Sequence, residues 1–245
     1  SDRNNIAMVG EVGVGKTALV YALAEQLIEG ANVAPELSYK QVVQIDPAAV
    51  SSAVSENLSL EQIFTEIINN ALRDGNIILY LDEASLFFGS GPGKINLASI
   101  LLPALQSKGL IVMASFNLEE WQQLSVANPT LAALFSKVEV EPADREQTIA
   151  ILQDMSIQLE AKASVQATIT FKAIQSAYDL SDRYLRSKAM PAKAIDLLSD
   201  SMNYSSAGLI TADSVARATE IITNTKVAEA GSEEKAQLLN LEELI

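Results

Sequence analysis

The chain has 245 residues, with 17 Lys or Arg against 31 Asp or Glu for a formal net charge of −14, and it contains no His and no Cys. Those absences exclude Ser-His-Asp and Cys-His nucleophiles, a histidine base, a disulfide framework and the usual nitrogen and sulfur zinc site, so any chemistry runs on carboxylates, Lys, Arg, hydroxyls, amides or backbone N–H groups. The acidic balance predicts no nucleic-acid partner, and no apolar run approaches the roughly 18 residues of a membrane span.

A hydrophobic content of 49% with 20% charged residues is that of a globular protein. The polar start carries no export signal, and the lack of Cys fits a cytoplasmic location. Residues 1–142 alternate apolar runs with helical patterns, as a parallel α/β domain does. In chain order the spacing predicts a strand over 6–9, a helix over 16–29, a strand over 42–45 and a helix over 60–72 with Ile63, Phe64, Ile67 and Ile68 on one face. A buried strand follows over 77–81, then a Gly-rich loop at 89–93, a helix over 97–105, a strand over 110–114 and a short strand over 138–140. The pattern changes after Pro142. Residues 143–225 read as a small all-helical domain, with helices over 145–161, 171–180, 192–202 and 211–223 and Ser, Thr or Asp available as N-caps. Residues 226–245 read as a linker followed by an acidic, leucine-bearing helix.

The run Gly10-Glu11-Val12-Gly13-Val14-Gly15-Lys16-Thr17 matches G-x-x-x-x-G-K-[ST] between a predicted strand and a predicted helix. Glycines let the backbone wrap a phosphate chain with its N–H groups inward, and the helix N-terminus adds the positive end of its dipole. In this pattern Lys16 neutralises phosphate oxygens, and Thr17 offers its hydroxyl to Mg²⁺. The strand over 77–81 delivers Asp82 and Glu83 at its C-terminal end, where an α/β sheet opens its ligand crevice. Asp82 suits the Mg²⁺ shell, and Glu83 suits the orientation or deprotonation of an attacking water. Asn117, just past the next strand, has two readings: a side chain for the γ-phosphate, or an Asn serving a strand-exit turn.

With these motifs in place the chain resembles the first ATPase module of the double-ring Clp unfoldases, in the AAA+ class. The resemblance rests on residues 4–18, including Ala18, on Ile78-Leu-Tyr-Leu-Asp-Glu-Ala84, on Pro103-Ala-Leu105, and on two helical stretches, Leu180-Ser-Asp-Arg-Tyr-Leu185 and Met190-Pro-Ala-Lys-Ala-Ile-Asp-Leu-Leu198. It implies a P-loop α/β domain followed by a helical lid, ATP or ADP with Mg²⁺ as ligands, self-association into a ring, protein substrates, and a protease or adaptor partner. It assigns Asn117 to the sensor position and puts Pro191 and Lys193 in the lid stretch that faces nucleotide. The short connection between Met202 and Thr211 lacks the long middle-domain insert of some relatives, a pattern more like the protease-associated branch.

Three departures weaken the match. The family carries an Arg-Arg pair just before the Phe at position 135, where this chain has Ala133 and Leu134, and no arginine occurs between Arg73 and Arg145. An arginine finger is worth about 10³ to 10⁵ in rate, so slow hydrolysis is expected, and Lys137 lacks the planar fork. Ser55-Glu56-Asn57 stands where the family has a basic-aromatic-basic grip on substrate, and Val12 replaces the proline usual in this P-loop. Trp121 and Phe87-Phe88 read as packing residues. The loop at 89–93 is either a second pore-facing loop or an ordinary flexible connection. The competing expectation is a degenerate nucleotide-binding scaffold or switch domain without significant hydrolysis.

Overall fold

The computed structural model describes residues 4–30, 33–46, 50, 52, 59–88, 97–106, 109–162 and 167–226. Ser55-Glu56-Asn57, the loop at 89–93 and the segment beyond residue 226 lie outside the described residues. The chain forms two compact units, Ser1–Glu141 and Pro142–Ile245.

In the first unit, β1 (Asn5–Val9) leads through the glycine loop into α1 (Lys16–Glu29), followed by β2 (Gln41–Ile45), α2 (Leu60–Asp74) and β3 (Ile77–Leu81). Then come α3 (Ala98–Gln106), β4 (Ile111–Phe116), α4 (Leu118–Ala127), the single turn α5 (Pro129–Ala132) and β5 (Phe135–Glu139). The five strands form one parallel sheet in the order β2-β3-β4-β1-β5. Crossover helices cover both faces of such a sheet, which is why its central strands are apolar on both sides.

The period of two along a strand divides the core. On one face Ile78 and Tyr80 of β3 pack with Met8, Met113 and, from α1, Val20 and Leu27. On the other, Leu79 and Leu81 join Val112, Ala114 and Phe116 against Phe64 and Ile68 of α2, Leu101 and Leu105 of α3, and Leu124 of α4. The aromatics serve this second core: Phe87 is fully buried, and Trp121 meets Phe116 edge-on at 5.4 Å between ring centroids. The register levels the strand ends, with Ile45 opposite Leu81, Leu81 opposite Ala114, and Val9 opposite both Phe116 and Glu139.

The boundaries differ from the sequence expectations mainly at the ends. The last strand begins at Phe135 rather than 138, because parallel pairing with β1 from Asn5 onward extends it through polar residues with no apolar pattern. The helices α4 and α5 were not expected from spacing, since α4 buries only Leu124.

The second unit contains α6 (Arg145–Lys162), α7 (Phe171–Tyr184), α8 (Ala192–Ser201) and α9 (Ala212–Thr223) around a core that includes Leu152, Ile174, Leu197, Leu198 and Val215. The expected polar caps are present. Asp144 accepts from the Gln147 N–H at 2.8 Å, and Thr170 accepts from the Ala173 N–H at 3.2 Å. The expectation of an all-helical unit is corrected by a parallel two-residue pair, β6 (Thr168–Ile169) with β7 (Leu209–Ile210). Two residues are too few to show a strand period, while Thr168 N–H and Thr170 N–H still find partners in the Gly208 and Ile210 carbonyls.

Candidate functional site

The glycine loop leaves β1 between two neighbours. Gly10 N–H donates to the Phe116 carbonyl at the end of β4, and a Cβ at Gly10 would lie 2.4 Å from the Val140 carbonyl beyond β5. Only glycine allows that approach. Gly13 and Gly15 have φ of 93° and 98°, the left-handed region in which a side chain is strained. The loop therefore curls back on itself before α1 begins, and Val14 is buried beneath it while Glu11, Val12 and Ala18 are exposed.

The Lys16 ammonium lies inside this curl, donating to the Gly10 carbonyl at 2.7 Å and the Glu11 carbonyl at 2.9 Å. Burial lowers its pKa from the usual lysine range, opposed by the negative charges of Glu120 and Asp82. An ammonium that is partly stripped of water and held by two neutral carbonyls gains from an anion placed in the loop.

Asp82 follows Tyr80 by two residues and so projects on the α1 face of the sheet, as does Ser115, two residues after Met113. That register brings four donors to one carboxylate. Asp82 Oδ1 accepts from Ser115 Oγ at 2.6 Å, from Tyr80 Oη at 2.8 Å and from the Glu83 N–H at 3.1 Å, and Oδ2 accepts from Thr17 Oγ1 at 3.0 Å. Burial by itself raises the Asp82 pKa, but the hydrogen bonds from Ser115, Tyr80, Thr17 and Glu83 outweigh it and hold the acid below its usual range. Burial also pushes the Tyr80 phenol up to about 12, which keeps it a neutral donor.

Glu83 is exposed and adopts a left-handed conformation at φ 48°, uncommon for a residue with a Cβ. Its N–H also donates to Ser115 Oγ at 2.9 Å. With Gln44, Asp46 and Asp82 it lines a cavity of about 250 Å³ at the ends of β2 and β3.

Asn117 caps α4. Its Oδ1 accepts from the Glu120 N–H at 2.8 Å, while Glu120 Oε2 accepts from the Asn117 N–H at 2.8 Å. Both earlier readings of Asn117 persist chemically, because the cap uses Oδ1 and leaves the amide Nδ2 as a donor for an incoming acceptor. Ser85 Oγ donates to the other oxygen of Glu120 at 2.8 Å.

Within the second unit, Pro191 is buried at the start of α8. Lys193 is 9% exposed, with its ammonium 3.0 Å from Asp182 Oδ1 and 3.5 Å from the Leu185 carbonyl. Its partners belong to its own unit.

The structure thus brings Lys16, Thr17, Asp82 and Glu83 to the C-terminal edge of the sheet, joined by three residues that the sequence reading did not include in the site. Tyr80 lies in the apolar strand predicted over 77–81 and Ser115 falls one residue past the strand predicted over 110–114, which extends to Phe116, although the period-two register of Tyr80 with Asp82 is a usable signal. Glu120 was announced by Asn117-Leu-Glu-Glu120, an N-cap residue followed three positions later by Glu.

The donor set fits a phosphate chain and a magnesium ion: a loop curled by two left-handed glycines, a half-buried ammonium, a hydroxyl and an anionic carboxylate. Among the described residues no helix is long and apolar enough to cross a membrane.

Comparison with known proteins is consistent with this geometry. Residues 6–124 match the model of the ATPase family associated with various cellular activities (AAA), and residues 144–243 match the AAA lid domain. The chain is 34% identical over 201 residues to the chaperone protein ClpB of Oceanobacillus iheyensis, covering 81% of this chain and 24% of that protein. It is 33% identical over 201 residues to the negative regulator of genetic competence ClpC/MecB of Bacillus subtilis, covering 81% and 24%. A closed-state cryoEM reconstruction of Hsp104 with ATPγS and FITC casein superposes with a TM-score of 0.84 at 25% identity, covering 98% of this chain and 43% of that one. The chain spans about a quarter of the length of these curated relatives. It belongs to the AAA family of ATPases, as an AAA domain followed by an AAA lid domain of the kind found in ClpB and ClpC.

Proposed function

We propose that the chain is the ATP-binding module of a Clp-type protein-remodelling ring, with residues 1–142 as the nucleotide domain, 143–225 as the lid and 226–245 as the lead towards a further module. The observation that carries this reading is the Lys16, Thr17, Asp82 and Glu83 constellation on the levelled strand ends. Within the run Gly10 to Ala18, the backbone N–H groups beyond Gly10, whose own N–H is held by the Phe116 carbonyl, bind the phosphates of ATP or ADP, and Lys16 exchanges its loop carbonyls for phosphate oxygens. Thr17 and Asp82 hold the magnesium ion, which when bound neutralises phosphate charge. Glu83 orients the attacking water, and Asn117 Nδ2 donates to the γ-phosphate. The chain's relatives, two Clp proteins and an Hsp104 solved with casein, support a parent that assembles into a ring and acts on protein substrates; a protease or adaptor partner is part of the proposal.

Hydrolysis in this module is slow. Ala133 is exposed at the end of α5, and Leu134 packs its side chain against the core. Lys137, the nearby cation, is ion-paired with Glu139 on the same strand. That apolar replacement also favours the second reading, a switch domain in which bound nucleotide is structural. A titration with a fluorescent ATP analogue, with and without Mg²⁺, tests the first claim. Lys16→Ala is expected to weaken binding about a hundredfold, the loss of two charge-assisted bonds to phosphate. Unchanged affinity in Lys16→Ala would falsify the site. Hydrolysis by the wild type above Glu83→Gln supports a slow ATPase, and equal background in both supports the switch.

A further inference from the structure

Three features carry weight: the polar groove between α2 and α3, the Lys193–Asp182 pair with its lysine buried and its carboxylate exposed, and the hydroxyl of Ser115 on the central strand β4. The third reaches furthest, because it touches both carboxylate-bearing residues.

We propose that Ser115 is a positioning residue that locks Asp82 and the Glu83 backbone into one unit, so that metal-assisted nucleotide binding depends on its hydroxyl. The proposal rests on the reading of this site as a nucleotide site. Ser115 is 2% exposed, so no water competes for its hydroxyl. That hydroxyl donates at 2.6 Å to Asp82 Oδ1 and accepts at 2.9 Å from the Glu83 N–H. One group therefore fixes the rotamer of the metal-facing carboxylate and the left-handed turn that aims the next side chain. A left-handed Glu persists only where its surroundings over-determine it, and the bonds of its N–H to Ser115 Oγ and Asp82 Oδ1 are that determination here.

Tyr80 is the internal contrast. Its hydroxyl reaches Asp82 Oδ1 at 2.8 Å and Thr17 Oγ1 at 3.4 Å but makes no bond to Glu83. Tyr80 tethers the carboxylate to the loop helix, whereas Ser115 tethers it to the following residue. Because β3 and β4 pair with Leu81 opposite Ala114, the tie from Ser115 crosses between adjacent strands. It turns the ends of two strands into one rigid corner.

The test uses the whole chain and a fluorescent ATP analogue, titrated with excess Mg²⁺ and again with EDTA. Ser115→Ala is expected to weaken binding with Mg²⁺ about tenfold while leaving binding in EDTA within about twofold, the size of one charge-assisted hydrogen bond. Ser115→Thr, which keeps the hydroxyl, is expected to restore most of the loss. Tyr80→Phe is expected to give a smaller Mg²⁺-specific loss. Thermal unfolding of the ligand-free variants checks that Ser115→Ala is folded. Equal loss with Mg²⁺ and with EDTA would mean general damage to the loop and overturns the proposal, as does a Ser115→Ala variant that binds as the wild type does. A wild type that binds no nucleotide overturns the nucleotide reading, and this inference with it.

Discussion

The end of β3 and the entrance of β5 lie in the same sheet with two strands between them, and they have been treated in opposite ways. At the end of β3 one carboxylate receives four hydrogen bonds from four different residues. At the entrance of β5 the positions that the family resemblance gives to two arginines carry Ala133 and Leu134, and the nearest lysine is paired with Glu139. On the proposed function, the groups that act on nucleotide within the chain, Glu83 included, are heavily supported, and the positions from which a neighbouring site would be helped are not. The two contributions are separable because they come from different strands of the sheet.

Restoring the missing cation is the strongest way to break that contrast. Ala133→Arg, measured in the assembled ring that the proposed function calls for, is expected to raise steady-state phosphate release at least about tenfold, a small part of what an arginine finger can supply. Ala133 is the position for it because it is exposed, whereas Leu134 packs against the core and an arginine there costs stability. No gain in phosphate release would show that more than the arginine has been lost.

On the supported side, Gly10→Ala forces a methyl against the Val140 carbonyl and is expected to destabilise the first unit by about 2 kcal/mol, read as a shift of the urea midpoint. Asn117→Ala removes a cap whose loss costs about 1 kcal/mol. If Asn117 also donates to phosphate, ATP affinity falls in that variant too, whereas Asn117→Asp keeps the cap, replaces the donor with a negative charge, and is expected to lower affinity more than Asn117→Ala does.

The smallest effect is on pH dependence. The folded pKa of Tyr80 is raised above its unfolded value of about 10, so its contribution to stability is complete below that pH and is lost as pH rises towards about 12. Tyr80→Phe is expected to flatten the alkaline limb of thermal stability. Asp82 behaves in the opposite sense: its pKa is depressed, so its contribution is present above the ordinary carboxylate range and is lost as pH falls through the folded value, and Asp82→Asn is expected to flatten the acid limb.

The parallel sheet, the glycine loop and the carboxylate pair were legible because each has a local signature: apolar runs, glycine spacing, and acids at a strand end. The role of Asn117 as a cap is equally local, carried by Glu120 three residues on, and differs from the strand-exit turn expected for it because a helix, α4, starts there. Tyr80 and Ser115 were not legible as site residues. Their part depends on the register of β3 against β4, a pairing between residues more than 30 positions apart that no local pattern encodes. The β6–β7 pair escaped for a related reason, since backbone groups 40 residues apart satisfy each other there with almost no side-chain pattern.

The close approach of Gly10 to Val140 has a mechanical consequence. Val140 N–H is bonded to the Val9 carbonyl at 2.8 Å, and the Val140 carbonyl closes over the Cα of Gly10, so the chain leaving β5 lies across the root of the glycine loop like a strap. A loop that widens to admit a ligand has to pivot against that strap rather than slide beneath it. The strap residue Val140 is followed by Glu141, the last residue of the first unit, so the stretch of chain that braces the glycine loop is also the one on which this unit closes.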